Sequence, residues 1–157
     1  MNSNELFGGE ATPEIKRLVD ATKQAPAWLQ SEMLWTIQMR APECLPIYYL
    51  LYKMHATRRE FIEAERAAVL GLAQAGKQSG LPGDALVATR AALPAVDFMN
   101  NGPARFWLFT LKALAYIRLR SGRREQARVL LDCIHRCDPT QSIGTDVIAA
   151  LIAAASD

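Results

Sequence analysis

The chain has 157 residues, of which 50% are hydrophobic and 22% are charged, and its formal net charge at pH 7 is +2. This composition is typical of a single folded domain with a substantial core, and it excludes a wholly disordered chain, which needs few hydrophobic residues and a high net charge. The small net charge gives no global argument for a nucleic-acid partner. No run of about 18 uncharged apolar residues occurs, so the sequence predicts no membrane-spanning helix.

The N-terminus and the cysteines indicate the cellular compartment. The first residues, MNSNELFGGEATPEIK, contain neither the basic region nor the apolar region of a secretory signal. Three cysteines are an odd number, which does not suit a framework of disulfides. We therefore expect a cytoplasmic protein with reduced thiols, and we expect residues 1–11 to form a flexible arm before the folded domain.

Eight helices are predicted in chain order, and no segment has the alternating pattern of a strand. The first helix begins with Thr12 as its N-cap and Pro13 at the first helical position, and it ends near Pro26. Pro42 ends the second helix. Gly, Pro and Asn residues punctuate the segment after the fourth helix, whose middle suits one short helix. The predicted bounds are about 12–25, 28–40, 45–55, 61–79, 84–92, 104–120, 126–137 and 144–155.

The stretch RLRSGRREQARVLLDCIHRCDPTQ, residues 118–141, carries the pattern of a helical hairpin that belongs to an array. Small residues let paired helices approach closely, large ones fill the space between hairpins, and proline ends the second helix. Gly122 lies at the turn and Pro139 closes the unit, whereas Arg118 stands where the pattern usually has an aromatic residue. The matching core positions are Leu111, Leu114, Ala115, Ala127 and Leu131.

The same pattern can be placed upstream, so that Pro42 closes an earlier unit. It then puts Tyr48, Leu51 and Tyr52 on a first helix and Ala64 at the small site of the second. With this spacing the chain resembles the tetratricopeptide repeat (TPR) family, whose period is about 34 residues. The fragments LYKMHATRREFIEAE and FWLFTLKALAYIRLR are also similar to small bacterial repeat proteins associated with nitrogen-fixation gene clusters.

The TPR resemblance implies an all-α fold of stacked antiparallel hairpins, which form a short right-handed solenoid in one domain over residues 12–157. It implies about three units, two of them degenerate, together with an inserted segment and a C-terminal helix that caps the stack. The alternative is an irregular helical bundle whose hairpins mimic the pattern. The expected ranges are 12–42, 45–78 and 108–140 for the units, 79–107 for the insert and 144–155 for the capping helix.

The resemblance also implies a concave groove lined by the first helix of each hairpin. The positions expected to face it are mostly cations and tyrosines, with no carboxylate. Such a groove suits a protein or peptide with acidic residues or a free C-terminus, so we expect a non-catalytic scaffold or adaptor. The alternative is a solvated helix face, on which lysine is common. The predicted contacts are Lys16, Tyr49, Lys53, Lys112, Tyr116 and Arg120, with Val19, Lys23 and Thr57 on the same faces.

Three other groups of residues favour structural roles. Cys133 and Cys137 lie one turn apart on one helix face, but zinc usually takes four ligands, so neither a metal nor another cofactor is expected. His55 and Glu60 resemble an acid–base pair, without a nucleophile motif or a phosphate-binding loop. Arginines at two predicted turns could form a basic stripe, which neighbouring glutamates largely neutralise. The sequence therefore predicts no enzyme, and nucleic acid is not the expected partner.

A structural subunit is the second functional hypothesis. Phe98 and Met99 fall in the 94–107 loop, where large apolar residues need a partner, either in the groove or on another chain. The apolar face of the last helix poses the same choice between capping and dimerisation. In this alternative the protein is a homodimer or part of a stable complex, accessory to nitrogen fixation, and its groove is empty or filled by the insert.

Overall fold

The structure, a computed structural model, describes residues 12–140 and 143–155. Eight helices and no strand occur in these residues, so the predicted all-α class is confirmed. The predicted N-terminal arm, residues 1–11, lies outside the described residues. The helices are α1 (Pro13–Gln24), α2 (Ala27–Arg40), α3 (Leu45–Thr57), α4 (Phe61–Ser79), α5 (Ala85–Arg90), α6 (Gly102–Arg120), α7 (Arg124–Cys137) and α8 (Asp146–Ala155).

Side-chain caps explain where two of the helices begin. The hydroxyl of Thr12 accepts a hydrogen bond from the backbone N–H of Ile15 at 3.2 Å, which confirms Thr12 as the N-cap of α1. The side chain of Asn101 accepts from the N–H of Ala104 at 3.0 Å. Because Asn101 is the cap, α6 begins at Gly102, slightly before the predicted start at Ala104.

The two helices of each hairpin pack against each other, and the hairpins α1–α2, α3–α4 and α6–α7 pack in series, with α5 against α7. The most extensive contacts of α4 are with α6 on one side and α3 on the other, and α6 also packs against α7. Helix α8 contacts both α7 and α6 at the C-terminal end of the series. The core between these helices contains the fully buried side chains of Trp107, Tyr48 and Phe106. Burying one such ring contributes about 2–3 kcal/mol, so these contacts hold the series together.

Helices α3 and α4 approach each other closely at Gly71. A Cβ atom added at Gly71 would lie 2.8 Å from the Cβ of Tyr48, which is too close for any ordinary contact. Gly71 is buried in the middle of α4, where glycine costs about 1 kcal/mol relative to alanine. The close approach of the two helices is the physical reason for a glycine at this position.

The hairpins α3–α4 and α6–α7 have the same turn. Arg59 and Gly122 both have a positive φ, of 61° and 81°. In each turn the residue that follows donates its N–H to a carbonyl five positions earlier, at 2.8 Å in both cases. The second helices then begin at equivalent residues, and the small residues Ala64 and Ala127 are both fully buried. The two hairpins therefore correspond residue by residue, with equivalent positions 63 apart because the insert lies between them.

The first hairpin, α1–α2, differs from these two. Its link has two residues instead of three, and α2 contacts α3 less extensively than α4 does. Side-chain hydrogen bonds join α2 to α3: the indole N–H of Trp35 donates to His55 Nε2 at 3.1 Å, and Arg58 donates to the side-chain carbonyl of Gln30 at 2.8 Å. The first hairpin is thus attached through a smaller and more polar interface.

The predicted insert, residues 79–107, ends differently in the structure, because residues 102–107 form the first turns of α6. The part before α6 packs on the side of the molecule formed by α7. Its helix α5 contacts α7, where the thiol of Cys133 lies 3.5 Å from the carbonyl oxygen of Ala88. The Trp107 indole donates to the Pro82 carbonyl at 2.7 Å, and the Phe98 ring stacks on Trp107. Phe98 therefore has its partner within the chain, whereas Met99 is 57% exposed.

Candidate binding groove

A surface cavity of about 510 Å³ lies between α3 and α6, and α8 contributes a third wall. Most of its lining is apolar or aromatic, and lysines stand on both long walls. We call this cavity the groove. Its lining residues are Tyr49, Tyr52, Lys53, Ala56 and Thr57 from α3, Phe109, Lys112, Ala113, Tyr116 and Ile117 from α6, and Val147 and Ile148 from α8.

Each long wall carries a tyrosine followed one helical turn later by a cation. On α3, Lys53 Nζ donates to the hydroxyl of Tyr49 at 3.2 Å and lies 5.3 Å from the centre of its ring. On α6, Arg120 Nη1 donates to the hydroxyl of Tyr116 at 3.2 Å, and the guanidinium lies 5.8 Å from the ring centre. Residues four apart are neighbours on a helix, so each ring supports its cation and restricts where the charge can be.

Lys112 is held differently from the other two cations. Its Nζ donates to the backbone carbonyl of Ile143, in the link between α7 and α8, at 3.0 Å. The side chain is half-buried, and this burial lowers the pKa of Lys112 below its ordinary value because it removes water from the charged form. Lys112 therefore belongs both to the groove and to the attachment of the last helix.

Among the described residues, the charges at the groove are all positive. Two lysines line it, Arg120 stands beside it on Tyr116, and none of its described lining residues is a carboxylate. Tyr52 forms part of the buried floor, and its burial raises the pKa of the phenol well above the ordinary range, so this hydroxyl stays neutral. An anionic group beside an apolar side chain is the ligand chemistry that matches these walls.

The structure brings most of the predicted contacts together. Tyr49, Lys53, Lys112 and Tyr116 line one cavity, and Arg120 adjoins it through its bond to Tyr116. The remaining predicted contact, Lys16, is exposed on α1 and does not line this cavity, which is built from α3, α6 and α8.

Helix α8 supplies two lining residues that the sequence did not assign to the groove, Val147 and Ile148. The apolar face of this helix is the signal in the sequence for this contact, although in sequence it fits a cap or a dimer surface. The sequence also allows the insert to fill the groove. All of its residues are described, and none lines this cavity.

The His55–Glu60 pair has a structural arrangement. His55 is buried, and its Nε2 accepts from the Trp35 indole, which is a donor only. The other ring nitrogen, Nδ1, therefore carries the hydrogen and donates to Glu60 Oε1 at 3.0 Å. Both ring nitrogens are engaged in joining α2, α3 and the turn that leads to α4.

The cysteines and the turn arginines also have partners within the chain. The Cys137 thiol donates to Cys133, which lowers the pKa of Cys133. No group of three or more His, Cys, Asp or Glu residues placed to hold a metal occurs among residues 12–140 and 143–155. Glu65 accepts from both Arg118 and Arg123, so a carboxylate offsets much of the basic charge near the second turn.

A second cavity of about 640 Å³ lies on another face, between α4, α5 and α7. Its rim carries both signs of charge, with Asp84 and Glu125 beside Arg90 and Arg118. The charge of this cavity therefore selects no particular class of ligand, unlike that of the groove.

No protein-family model matches the chain, and no curated protein or solved structure matches it. Within the described part of the chain, no helix combines the length and the hydrophobicity needed to cross a membrane.

Proposed function

We propose that this protein is a non-catalytic binding scaffold that takes an acidic segment of another protein, or a peptide with a free C-terminus, into the groove. The observation that carries the proposal is the convergence of Tyr49 and Lys53 from α3 with Lys112 and Tyr116 from α6 around one cavity without a carboxylate. The pair on α3 precedes the pair on α6 by 63 residues of sequence, so the packing of the helices, with α3 and α6 both against α4, brings them together.

The size and chemistry of the groove suit one apolar anchor flanked by carboxylates. A volume of about 510 Å³ lies within the range of pockets that enclose a compact ligand. Tyrosine combines a large contact area with few rotatable bonds, and it is enriched at binding surfaces. Lysine and arginine recognise carboxylates through charge-assisted hydrogen bonds, which exceed neutral ones in strength.

We further propose that the hairpins are TPR-like units. The shared turn at Arg59 and Gly122, and the buried alanines at positions 64 and 127, support this interpretation for α3–α4 and α6–α7. In this arrangement α3 and α6 are equivalent first helices, and first helices line the concave face of such arrays. The position of the groove between α3 and α6 agrees with that expectation.

The test is binding of a defined acidic peptide, measured by calorimetry on the full chain. The peptide has two leucines flanked on each side by two glutamates, with both ends capped, and a control peptide has lysines in place of the glutamates. The double variant Lys53→Glu/Arg120→Glu should bind the acidic peptide about tenfold more weakly, because two attractive pairs become repulsive. The control variant Arg17→Glu/Lys77→Glu makes the same change of charge at exposed positions outside the groove and should bind normally.

Equal binding of both peptides by the wild type, or equal loss of binding in both double variants, would contradict a groove-specific acidic ligand. Circular dichroism of all variants at the same temperature establishes that they are equally helical. A third peptide with a free C-terminus separates recognition of side-chain carboxylates from recognition of a terminal one.

A homodimer is the second candidate function, and the exposed face of α8 favours it. Val147, which also lines the groove, is 69% exposed, and Leu151 is 40% exposed. Pairing through the groove itself is disfavoured, because it would bring Lys53, Lys112 and Arg120 close to their own copies. Light scattering during size-exclusion chromatography decides the point: a dimer that Val147→Glu converts to monomer supports this candidate, and a monomeric wild type excludes it.

A further inference from the structure

Lys112 connects the groove to the last helix. The ammonium lines the groove on one side and holds the carbonyl of Ile143 on the other. Three residues beyond that carbonyl α8 begins, and its residues Val147 and Ile148 form the third wall of the groove.

The attachment of α8 to the rest of the molecule is small. Helix α8 has ten residues and contacts α7 and α6 less extensively than those two helices contact each other. Its anchors are the buried side chains of Ile148 and Ile152, and the link before it contains Gly144, whose φ is +67°. The link is also held by the Asp138 carboxylate, which accepts from the N–H of Ile143 at 3.1 Å, and by a 2.9 Å hydrogen bond between His135 and Thr145. The Lys112–Ile143 hydrogen bond adds to these contacts and is the one that starts from a residue lining the groove.

The ammonium of Lys112 has capacity for a second partner. An ammonium has three N–H donors, and Ile143 is its only hydrogen-bond partner in the described part of the chain. Partial burial disfavours the charged form of Lys112, as its lowered pKa shows. A ligand carboxylate beside it would accept from the remaining N–H groups and would offset the cost of holding this charge in a half-buried place.

We propose that Lys112 is the anion-binding subsite of the groove and that it couples the binding of an anionic ligand to the docking of α8. The inference rests on the proposed function, since it concerns the same groove and the same acidic ligand. A ligand carboxylate accepts from the N–H groups of Lys112 that point into the groove, while Ile143 keeps its bond. Occupancy of the groove and docking of α8 therefore stabilise each other, and the coupling is reciprocal.

Hydrogen–deuterium exchange of the full chain tests the coupling, with amides of 146–155 as the readout. Without ligand, Lys112→Met should raise exchange in this segment about tenfold, because a charge-assisted hydrogen bond is lost. Lys53→Met removes the other lining lysine and should leave the segment unchanged. Lys112→Arg keeps a cation with several donors and should restore slow exchange, while amides of α4 report whether each variant is folded.

The capped acidic peptide described above is then added. In the wild type it should slow exchange in 146–155 about fivefold or more, and Lys112→Met should abolish this protection even at peptide concentrations that saturate the variant. Unchanged α8 exchange in Lys112→Met without ligand overturns the inference whatever the peptide does. Binding to the wild type without protection of α8 overturns the coupling and leaves the proposed function intact. Failure of the peptide to bind the wild type overturns both.

Discussion

The hairpins α3–α4 and α6–α7 share a turn, but only one of them has the residue that suits it. Gly122 adopts its left-handed conformation at no steric cost, whereas Arg59 adopts the same conformation at a cost of roughly 1 kcal/mol or more. Both turns nevertheless form the same 2.8 Å backbone hydrogen bond. The packing of the helices on either side, with Ala64 and Ala127 fully buried, therefore determines the turn more strongly than the turn residue does.

The groove also has equivalent backbone positions that carry different residues in the two hairpins. In the correspondence given by the turns, Tyr49 is equivalent to Lys112 and Lys53 is equivalent to Tyr116, so the aromatic residue and the cation exchange places. At these two pairs of equivalent positions each wall thus carries one tyrosine and one lysine, in opposite order along the helix. Equivalent backbones with exchanged side chains explain how these two hairpins keep the same chemical character on both walls of the groove.

The largest expected effect tests whether the two hairpins are equivalent in the core. Leu51 and Leu114 are fully buried at corresponding positions. Each change to alanine should lower the free energy of unfolding by about 3 kcal/mol, because it removes buried methyl groups and leaves a cavity. Urea denaturation followed by circular dichroism measures both variants. Costs that differ by more than about 2 kcal/mol would show that the two positions are not equivalent in packing.

The next effect concerns Glu65, which joins α4 to the hairpin α6–α7 through Arg123 and Arg118. Glu65→Gln should cost about 1–3 kcal/mol, since three charge-assisted hydrogen bonds, one from Arg118 and two from Arg123, weaken or are lost. Hydrogen bonding to Arg123, and then to Arg118, lowers the pKa of Glu65. Its contribution is therefore fully present above the ordinary carboxyl pKa and is lost as the pH falls through the lowered one.

Urea titrations of the wild type and Glu65→Gln between pH 7 and pH 3 measure this contribution. The two stabilities should converge as the pH falls. Glu63→Gln, at an exposed position of the same helix, is the matched control. Its free energy of unfolding should differ from that of the wild type by the same amount at every pH. A constant difference between Glu65→Gln and the wild type over this range would show that the charge of Glu65 is not the source of its effect.

The turn residues should give opposite effects of about 1 kcal/mol each. Arg59→Gly should stabilise the protein because it relieves a left-handed conformation that arginine disfavours. Gly122→Ala should destabilise it, because alanine disfavours the left-handed backbone conformation at this position. An added Cβ at Gly122 meets nothing within 4 Å, so the backbone conformation is the source of the strain. Thermal unfolding of both variants is the measurement, and effects of the same sign would contradict equivalent turns.

The smallest expected effect concerns Lys16, the predicted contact that lies outside the cavity. Lys16→Glu should change the affinity for the capped acidic peptide by less than about twofold, because α1 does not line the groove and exposed charges at a distance are screened. Calorimetry measures the affinity of Lys16→Glu and of Lys53→Glu for the same peptide. An equal loss of affinity in the two variants would mean that the binding surface extends to the first hairpin.

The elements of this fold were predictable from local signals. Thr12 and Pro13 mark the start of α1, and apolar periodicity marks the long helices, so the all-α class and the eight helices follow from the sequence. The start of α6 was placed slightly late because Asn101, a capping side chain, was not recognised as the cap. Helix α8 begins at Asp146, after the predicted start at residue 144, because the left-handed backbone of Gly144 keeps this residue outside the helix.

Helical spacing predicted which groove residues share a face of one helix, but not which helices come together around the groove. Spacing placed Tyr49 with Lys53, and Lys112 with Tyr116, on single faces of α3 and α6. The part played by α8 depends on a contact over 31 residues, from Lys112 to Ile143, which no local pattern encodes. The failure of Lys16 to join the cavity has a similar cause, because the smaller interface between α2 and α3 fixes where the first hairpin lies.

Photo-crosslinking tests the central claim, that an acidic ligand binds between α3 and α6, most directly. The capped acidic peptide carries a photoreactive leucine in place of one leucine, and mass spectrometry locates the crosslinks on the full chain. We expect crosslinks on Ala56, Ala113 or Val147, which line the groove, and their loss in Lys53→Glu/Arg120→Glu. Crosslinks concentrated on Val69, Leu86 and Val129, in the cavity between α4, α5 and α7, would contradict it.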